Sequence, residues 1–162
     1  MRRQFLIKAL IPDLIKIKDL KILDSESDCE RFSRDFFDYS PILKQELDTC
    51  CADLVVRPFT IQAIMDVAGA CYKHNIPLTL RGSGTGNYGQ CVPINGGVVM
   101  IMGEFRSVRN IDDLTGVVTV EPGCLMKDLN KELVKKGRQL RLLPSTWRSA
   151  SIGGFVAGGS GG

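Results

Sequence analysis

Apolar residues in the first 47 positions recur at helical spacing. Four of them are separated by three or four residues: Leu6, Leu10, Leu14 and Ile17. This spacing predicts a short amphipathic helix, although Pro12 disfavours it because proline lacks a backbone donor. A polar break over residues 24–28 then precedes an aromatic cluster of Phe32, Phe36, Phe37 and Tyr39. We interpret residues 1–47 as a helical or irregular support region.

The pattern becomes regular from residue 53 onward. Residues 54–56 and residues 78–80 are short apolar runs, and each predicts a buried strand. Thr60 can cap a helix between them, and Pro77 ends it. The predicted buried face of this helix carries Ile61, Ile64, Met65, Ala68 and Cys71. The three elements make a β-α-β unit, whose two strands should be parallel.

Two more strands and a helix are predicted beyond residue 97. Residues 98–102 and 117–120 are apolar runs that are typical of strands. A helix is marked by three leucines at four-residue spacing, Leu125, Leu129 and Leu133, and it ends at Gly137. The predicted fold class is therefore α+β. A small β-α-β subdomain is followed by a second, mixed or antiparallel α+β subdomain.

Composition narrows the class of protein. The chain has 162 residues, of which 44% are hydrophobic and 24% are charged, as is typical of one folded domain. No apolar run approaches the ~18 residues of a membrane span, and the N-terminus lacks a small-residue cleavage site. We therefore expect a cytoplasmic protein without a membrane span. The net charge of +3 is small and scattered, which argues against nucleic acid as a partner.

The six cysteines and the single histidine, His74, give no metal signature. A structural zinc site needs clustered thiolates or imidazoles, and the sequence has no C-x-x-C pair. We expect reduced thiols and no metal site. No nucleophile or acid–base pair stands out either, so the sequence assigns no catalytic residue.

Glycine is distributed unevenly along the chain. Of the 17 glycines, only Gly69 precedes residue 81. The second predicted strand leads directly into a glycine-rich loop: Gly82, Ser83, Gly84, Thr85, Gly86 and Asn87. Such a loop presents successive backbone N–H groups without Cβ obstruction, so it can cradle phosphates. It is not a P-loop, because the chain lacks the G-x-x-x-x-G-K-[ST] motif.

Two interpretations of this loop compete, beside a third functional hypothesis that does not involve the loop. Gly84, Gly86 and Gly89 match the G-x-G-x-x-G motif of NAD(P)-binding Rossmann modules, which requires a helix to begin in the loop. Residues 90–97 disfavour such a helix. A loop can also hold a pyrophosphate from one side, when a second small-residue turn such as residues 151–154 completes it. The third alternative is a catalytically inactive remnant that serves as an interaction fragment, suggested by the aromatic cluster.

Several short motifs occur along the chain in the same order as in a known family. They are residues 55–58, 76–78, 81–86, 96–99, 120–123 and 151–154. Together they resemble the FAD-binding domain of the vanillyl-alcohol oxidase and p-cresol methylhydroxylase (PCMH-type) superfamily. Within it, the sequence is most similar to FAD-linked oxidases related to the glycolate oxidase flavin subunit and D-lactate dehydrogenases. The resemblance implies that residues 48–162 are the FAD-binding domain, truncated at its C-terminal side.

The resemblance also implies a cofactor role for each matching residue. Residues 82–87 would contact the FAD pyrophosphate through backbone N–H groups, and Arg81 would shape the loop entrance. Pro122 and Gly123 would turn the chain beneath the cofactor. The remaining contacts to the flavin, the ribityl chain and the phosphates would come from Pro144, Ser145, Thr146, Ser151, Gly153 and Gly154.

Two further expectations follow from the resemblance. Some relatives attach FAD covalently through a histidine in the first loop, where this sequence has Thr85, so the bound FAD should be non-covalent. Full-length relatives transfer a hydride from a 2-hydroxy acid or a related alcohol to the flavin, using a later cap domain. We therefore expect this chain to be an N-terminal fragment, with the C-terminal half as a candidate partner chain, and its own enzyme activity stays open.

Overall fold

A computed structural model of the chain describes residues 2–160. The helices are α1 (Arg2–Ile15), α2 (Glu26–Phe32), α3 (Pro41–Leu47), α4 (Ile61–Lys73), α5 (Met126–Lys135) and α6 (Ile152–Ala157). The strands are β1 (Leu20–Leu23), β2 (Leu54–Pro58), β3 (Leu78–Arg81), β4 (Val98–Ile101), β5 (Val108–Ile111) and β6 (Val118–Val120). This mixture confirms the predicted α+β class. Among residues 2–160, no helix combines the length and the apolar character needed to cross a membrane.

The first of two compact units comprises Met1–Arg81 and Gly86–Ile101. Its four-stranded sheet has the order β1-β2-β4-β3. Strands β2 and β3 both run parallel to β4, which lies between them, so the predicted β-α-β unit is confirmed. Strand β4 is buried along its whole length, as expected of a central strand covered on both faces.

The N-terminal region contributes structure that the apolar pattern revealed only in part. Helix α1 forms as predicted and continues through Pro12, burying Leu10 and Leu14. Ile17 lies beyond the helix end, where the chain turns. Strand β1 was not predicted, and it pairs antiparallel with β2. A four-residue edge strand without a buried face has too little apolar patterning to be recognised from sequence.

Helix α4 has the predicted cap but a different buried face. The Thr60 side chain accepts a hydrogen bond from the backbone N–H of Ala63, which fixes the helix start. The buried residues are Ala63, Val67 and Cys71, whereas Ile61 and Met65 are each 60% exposed. Of the five predicted residues only Cys71 is buried, so most of the predicted face was wrong. The helix carries two apolar stripes, and the one with smaller side chains packs inward.

The second compact unit comprises Gly82–Thr85 and Met102–Gly162. Strands β5 and β6 pair antiparallel, and a core of Cys124, Leu129 and Leu133 from the α5 region packs against their apolar side chains. Helix α5 forms where the leucine spacing predicted it, with Leu125 at its N-cap rather than inside it. Strand β5 was not predicted, because Arg109 and Asn110 interrupt its apolar residues.

Candidate functional site

The glycine loop that follows β3 is a coil with bends and turns. No helix is present between Gly82 and Gly97, and β4 begins at Val98. A Rossmann module would require a helix beginning at Gly86–Gly89, so the structure contradicts that alternative. Gly84 has a φ of 69°, a left-handed conformation that L side chains rarely adopt.

The loop keeps a row of backbone donors free. Within the part of the chain that the structure describes, the N–H groups of Ser83, Gly84, Thr85, Gly86 and Asn87 donate no hydrogen bond. All of these residues except Ser83 are half-buried, so their donors are partly withdrawn from water. Free, partly buried amides in succession are the donor set that a bound anion satisfies.

Within the second unit, Gly82 lies directly against the other predicted motif. A Cβ built on Gly82 would collide with the Ser151 hydroxyl and approach the Gly154 Cα at 3.7 Å. Ser151 is only 3% exposed, and its Oγ accepts from the Gly154 N–H at 3.4 Å. The structure therefore brings the two small-residue motifs into contact, and only glycine at position 82 permits it.

The second motif is a helix start rather than a turn. Ser151 caps the six-residue helix α6, which corrects the expectation of a free turn. The Ile152 N–H donates to the Cys124 carbonyl at 2.8 Å, and the Gly153 N–H donates to the Pro122 carbonyl at 2.9 Å. These amides are already engaged inside the protein. Ser151, Gly153 and Gly154 thus act through close packing, and their contact with a cofactor stays a prediction.

Pro122 and Gly123 turn the chain tightly beneath this helix start. A Cβ on Gly153 would lie 2.5 Å from the Pro122 Cβ, so glycine is required there as well. The Gly123 N–H donates to the Phe105 carbonyl at 2.7 Å, and a Cβ at Gly123 would collide with the Met102 carbonyl. The predicted turn is present, and the close contact between Pro122 and Gly153 connects it to α6.

Pro144, Ser145 and Thr146 precede this motif in two consecutive turns. The Trp147 N–H donates to the Pro144 carbonyl at 2.9 Å, and the Ala150 N–H donates to the Thr146 carbonyl at 2.8 Å. Ser145 is exposed and Thr146 is half-buried. The turns lead into Ser151, and the contact of these three residues with a flavin stays a prediction.

Within the first unit, Arg81 is anchored rather than free. Its Nη1 donates to the Phe32 carbonyl at 3.1 Å and to the Cys91 Sγ at 3.2 Å. Its guanidinium also lies 5.9 Å from the centre of the Phe32 ring. The predicted residue at the loop entrance therefore fixes the end of β3 to the aromatic cluster.

Asp35 is a residue of this region that the sequence did not reveal. It is 8% exposed and lies beside Gly86. Burial raises the pKa of its carboxyl group, while the N–H groups of Phe37, Gly89 and Gln90 lower it. An aspartate in an aromatic cluster has no sequence signature for such a contact, because Gly86 is distant along the chain.

The backbone N–H donors of the glycine loop are suited to binding FAD. The free amides of residues 83–87 and the positive φ of Gly84 are suited to a pyrophosphate held by backbone groups.

Among the described residues, no group of three or more His, Cys, Asp or Glu side chains could hold a metal ion.

Comparison with known protein families gives a match over most of the chain. Residues 52–162 match the model of a family described as an FAD binding domain. The match includes the glycine loop, the Pro122–Gly123 turn and the Ser151 motif, and it begins after α3.

Curated relatives share the same region. The chain is 31% identical to the glycolate oxidase subunit GlcD of Bacillus subtilis over 110 residues, which cover 68% of this chain and 23% of the relative. It is 26% identical to the mitochondrial D-2-hydroxyglutarate dehydrogenase of Rattus norvegicus over 128 residues, which cover 73% of this chain and 24% of that protein. The chain therefore spans about a quarter of the length of these relatives.

Solved structures share the fold. An alkyldihydroxyacetonephosphate synthase superposes with a TM-score of 0.74 at 20% identity, covering 98% of this chain and 32% of that one. A p-cresol methylhydroxylase superposes with a TM-score of 0.65 at 13% identity, covering 90% of this chain and 28% of the other. These likenesses confirm the predicted PCMH-type architecture.

Proposed function

Because the chain belongs to the FAD binding domain family, whose cofactor is FAD, we propose that residues 82–87 hold the pyrophosphate of FAD. The observation that carries the proposal is the row of free backbone N–H groups from Ser83 to Asn87. Hydrogen bonds from amides to an anion are stronger than those to neutral acceptors, so such a row contributes substantially to affinity.

The chain's own residues bind and orient the cofactor. The loop amides donate to the phosphate oxygens, and Gly84 keeps the loop open where a side chain would obstruct them. Gly82 and Gly153 allow the loop base, Ser151 and Pro122 to pack closely. Pro144, Ser145 and Thr146 line the flavin side. When bound, FAD supplies the acceptor for a hydride that leaves the carbon bearing a substrate hydroxyl.

The proposed FAD-binding domain extends over residues 48–162, with residues 1–47 as its support region. The family match over residues 52–162 supports the first boundary. The support role agrees with the pairing of β1 with β2 and the packing of α1 on α4 in the first unit.

We propose that FAD is held without a covalent bond. Thr85 cannot form the histidyl linkage of some relatives, and His74 pairs with Asp13 at 2.9 Å at the end of α4. Acid precipitation of the loaded protein should release all of the flavin into the supernatant. Flavin absorbance retained in the washed pellet would contradict this.

The whole protein is proposed to oxidise a 2-hydroxy acid or a related alcohol. The names of the relatives, a glycolate oxidase subunit and a D-2-hydroxyglutarate dehydrogenase, support this substrate class. The parts of those relatives that this chain does not span would supply the substrate site, in the same chain or in a separate one. All six cysteines are free thiols, which supports the further proposal of a cytoplasmic location.

The cofactor proposal is tested with a series of flavins. FAD, FMN and riboflavin share the ring system. FMN and riboflavin differ by one phosphate, so this pair isolates a phosphate contact, whereas the difference between FAD and FMN combines the second phosphate with adenosine. We expect FAD to bind most tightly and riboflavin at least about tenfold more weakly, the effect of one lost charge-assisted hydrogen bond. Equal affinities for the three ligands would contradict a pyrophosphate role for the loop.

The substrate proposal is tested by supplying the remainder of a relative. This chain, FAD and the C-terminal three quarters of the Bacillus subtilis relative are mixed under anaerobic conditions. Glycolate should then bleach the flavin absorbance, whereas either protein alone should leave it unchanged. No bleaching by glycolate, D-lactate or D-2-hydroxyglutarate, with both proteins folded and FAD bound, would count against the substrate class.

A further inference from the structure

A segment outside the family match lies against the second half of the glycine loop. Residues 32–37 precede the matched region by fifteen residues or more. The Phe36 N–H donates to the Gly86 carbonyl at 2.8 Å, and the Phe32 carbonyl accepts from the Arg81 guanidinium at 3.1 Å. Backbone groups of this segment therefore contact both the loop and the strand that leads into it.

Asp35 is the buried polar side chain of this segment. Its Oδ1 accepts from the Phe37 N–H at 2.9 Å, whereas its Oδ2 is buried and has no hydrogen-bond partner among the described residues. A Cβ on Gly86 would lie 3.2 Å from that oxygen. The N–H groups of Gly89 and Gln90 also face the carboxyl group.

A buried carboxyl oxygen without a hydrogen-bond partner costs free energy, so its presence against the loop calls for a functional explanation. Apart from the Phe37 N–H, the groups around Asp35 are all in the loop's second half or in strand β3. They are Gly86, Gly89, Gln90, the Arg81 guanidinium and the Cys91 thiol. The neighbouring Gln90 Oε1 accepts from the Tyr88 N–H at 3.1 Å, so residues 86–90 are also braced from within.

We propose that Asp35 is a positioning residue for the cofactor. Its carboxyl group holds residues 86–90 in the conformation that keeps the preceding amides free and aligned for the FAD pyrophosphate. The inference rests on the proposed function, and it assigns a cofactor role to a residue outside the matched domain.

Asp35→Asn tests the proposal with little change in volume. The amide retains one oxygen, but its NH₂ group must face either the Phe37 N–H or the amides of Gly89 and Gln90. In either orientation the side-chain NH₂ group faces a backbone N–H, and two donors cannot form a hydrogen bond. The loop therefore loses its support whichever way the side chain turns. Asp38→Asn is the matched control, because Asp38 is exposed three residues later and pairs with Lys44 at the surface.

Hydrogen exchange of the ligand-free chain measures positioning directly. In Asp35→Asn, the hydrogen-bonded amides of Phe36, Tyr88 and Val92 should exchange several-fold faster, while those of helix α4 keep the wild-type rate. Unchanged exchange in the loop would overturn the proposal. Equal acceleration in α4 would mean general destabilisation and would overturn it as well.

FAD affinity then tests whether this positioning serves the cofactor. We expect the Kd of Asp35→Asn to rise by about tenfold, the effect of losing one charge-assisted hydrogen bond, while Asp38→Asn stays within about twofold. Faster loop exchange with an unchanged Kd would overturn the cofactor role. If the folded wild type binds no FAD, the proposed function fails, and the exchange data still decide whether Asp35 holds the loop.

A second variant covers the case in which Asp35→Asn does not fold. Asp35→Ser retains a hydroxyl that can accept from the Phe37 N–H but is too short to support Gly86. It should give the same pair of results, faster loop exchange and weaker FAD binding, and wild-type values in both would overturn the proposal.

Discussion

At the scale of the residue, the glycines of this chain are important because they allow other residues to approach the backbone closely. Gly82 accommodates the Ser151 hydroxyl and Gly153 accommodates Pro122, so these two positions create contacts between segments about 30 to 70 residues apart in sequence. Gly84 differs, because its positive φ shapes the loop itself. The sequence predicted that these glycines belong to one site, but it attributed to all of them the same role of donating N–H groups.

The contact between Gly82 and Ser151 predicts a strong coupling between the two positions. Gly82→Ala should force the Ser151 side chain out of the rotamer that caps α6, costing about 1 kcal/mol of unfolding free energy. Ser151→Ala removes that hydroxyl at a similar cost, so Gly82→Ala should cost almost nothing in the Ser151→Ala background. Chemical denaturation of the four proteins measures the cycle. Additive costs would show that the two side chains do not meet.

Gly84→Val should separate folding from cofactor binding. A β-branched residue at a φ of 69° strains the backbone by about 1–2 kcal/mol and places a side chain among the loop donors. We expect a folded chain with a lowered Tm and no measurable FAD binding by fluorescence titration.

Gly69→Ala is the control for the Gly84 variant. Gly69 lies inside α4, with nothing within 4 Å of a built Cβ. Its replacement should raise the stability by roughly 0.5–1 kcal/mol and leave the FAD Kd unchanged. Wild-type affinity in Gly84→Val would contradict the assigned role of the loop.

At the scale of the element, the apolar pattern located the strong elements and missed those that depend on partners. Strands β2, β3, β4 and β6 and helices α1, α4 and α5 were predicted because apolar runs or a regular apolar spacing mark them in the sequence. Strands β1 and β5 have polar residues beside their apolar ones, so their pairing with neighbouring strands defines them. The buried face of α4 was misassigned because packing against the sheet, rather than hydrophobicity, selects Ala63 and Val67.

Helices α1 and α4 are joined by an ionic cluster that depends on pH. The Asp13 carboxylate accepts from Lys73 at 2.8 Å and lies 2.9 Å from the His74 ring. Hydrogen bonding from Lys73, and then from His74, holds the pKa of Asp13 well below its ordinary value of 3.8. A lowered pKa means that the stabilisation is present above this ordinary value and is lost as the pH falls below it.

The Asp13→Asn variant tests this linkage. Thermal unfolding at about pH 6 should show a lower Tm than wild type, and the difference should shrink steadily as the pH falls below 3.8, the ordinary pKa of an aspartate. Lys73→Met should reduce the loss of Tm at acid pH in part, because it removes the first hydrogen-bond partner of Asp13. A Tm difference that stays constant over the whole range would contradict the role of Asp13.

At the scale of the whole molecule, the family match covers less than the folded structure. The match begins at residue 52, yet β1 and α1 are part of the first compact unit, and Asp35 lies against Gly86. The fold class and the order of the cofactor motifs could be predicted because they depend on local pattern. The N-terminal contacts could not, because they join residues about 35 to 60 positions apart.

The central claim is that the backbone amides of residues 83–87 bind the pyrophosphate of FAD. At 17.8 kDa the chain is suited to a titration followed by amide NMR. We predict that FAD shifts the ¹H resonances of Ser83 to Asn87 downfield in a saturable manner as these amides gain acceptors, while Gly69 in α4 does not respond. Loop resonances that stay in place when a folded chain is exposed to excess FAD would contradict the account.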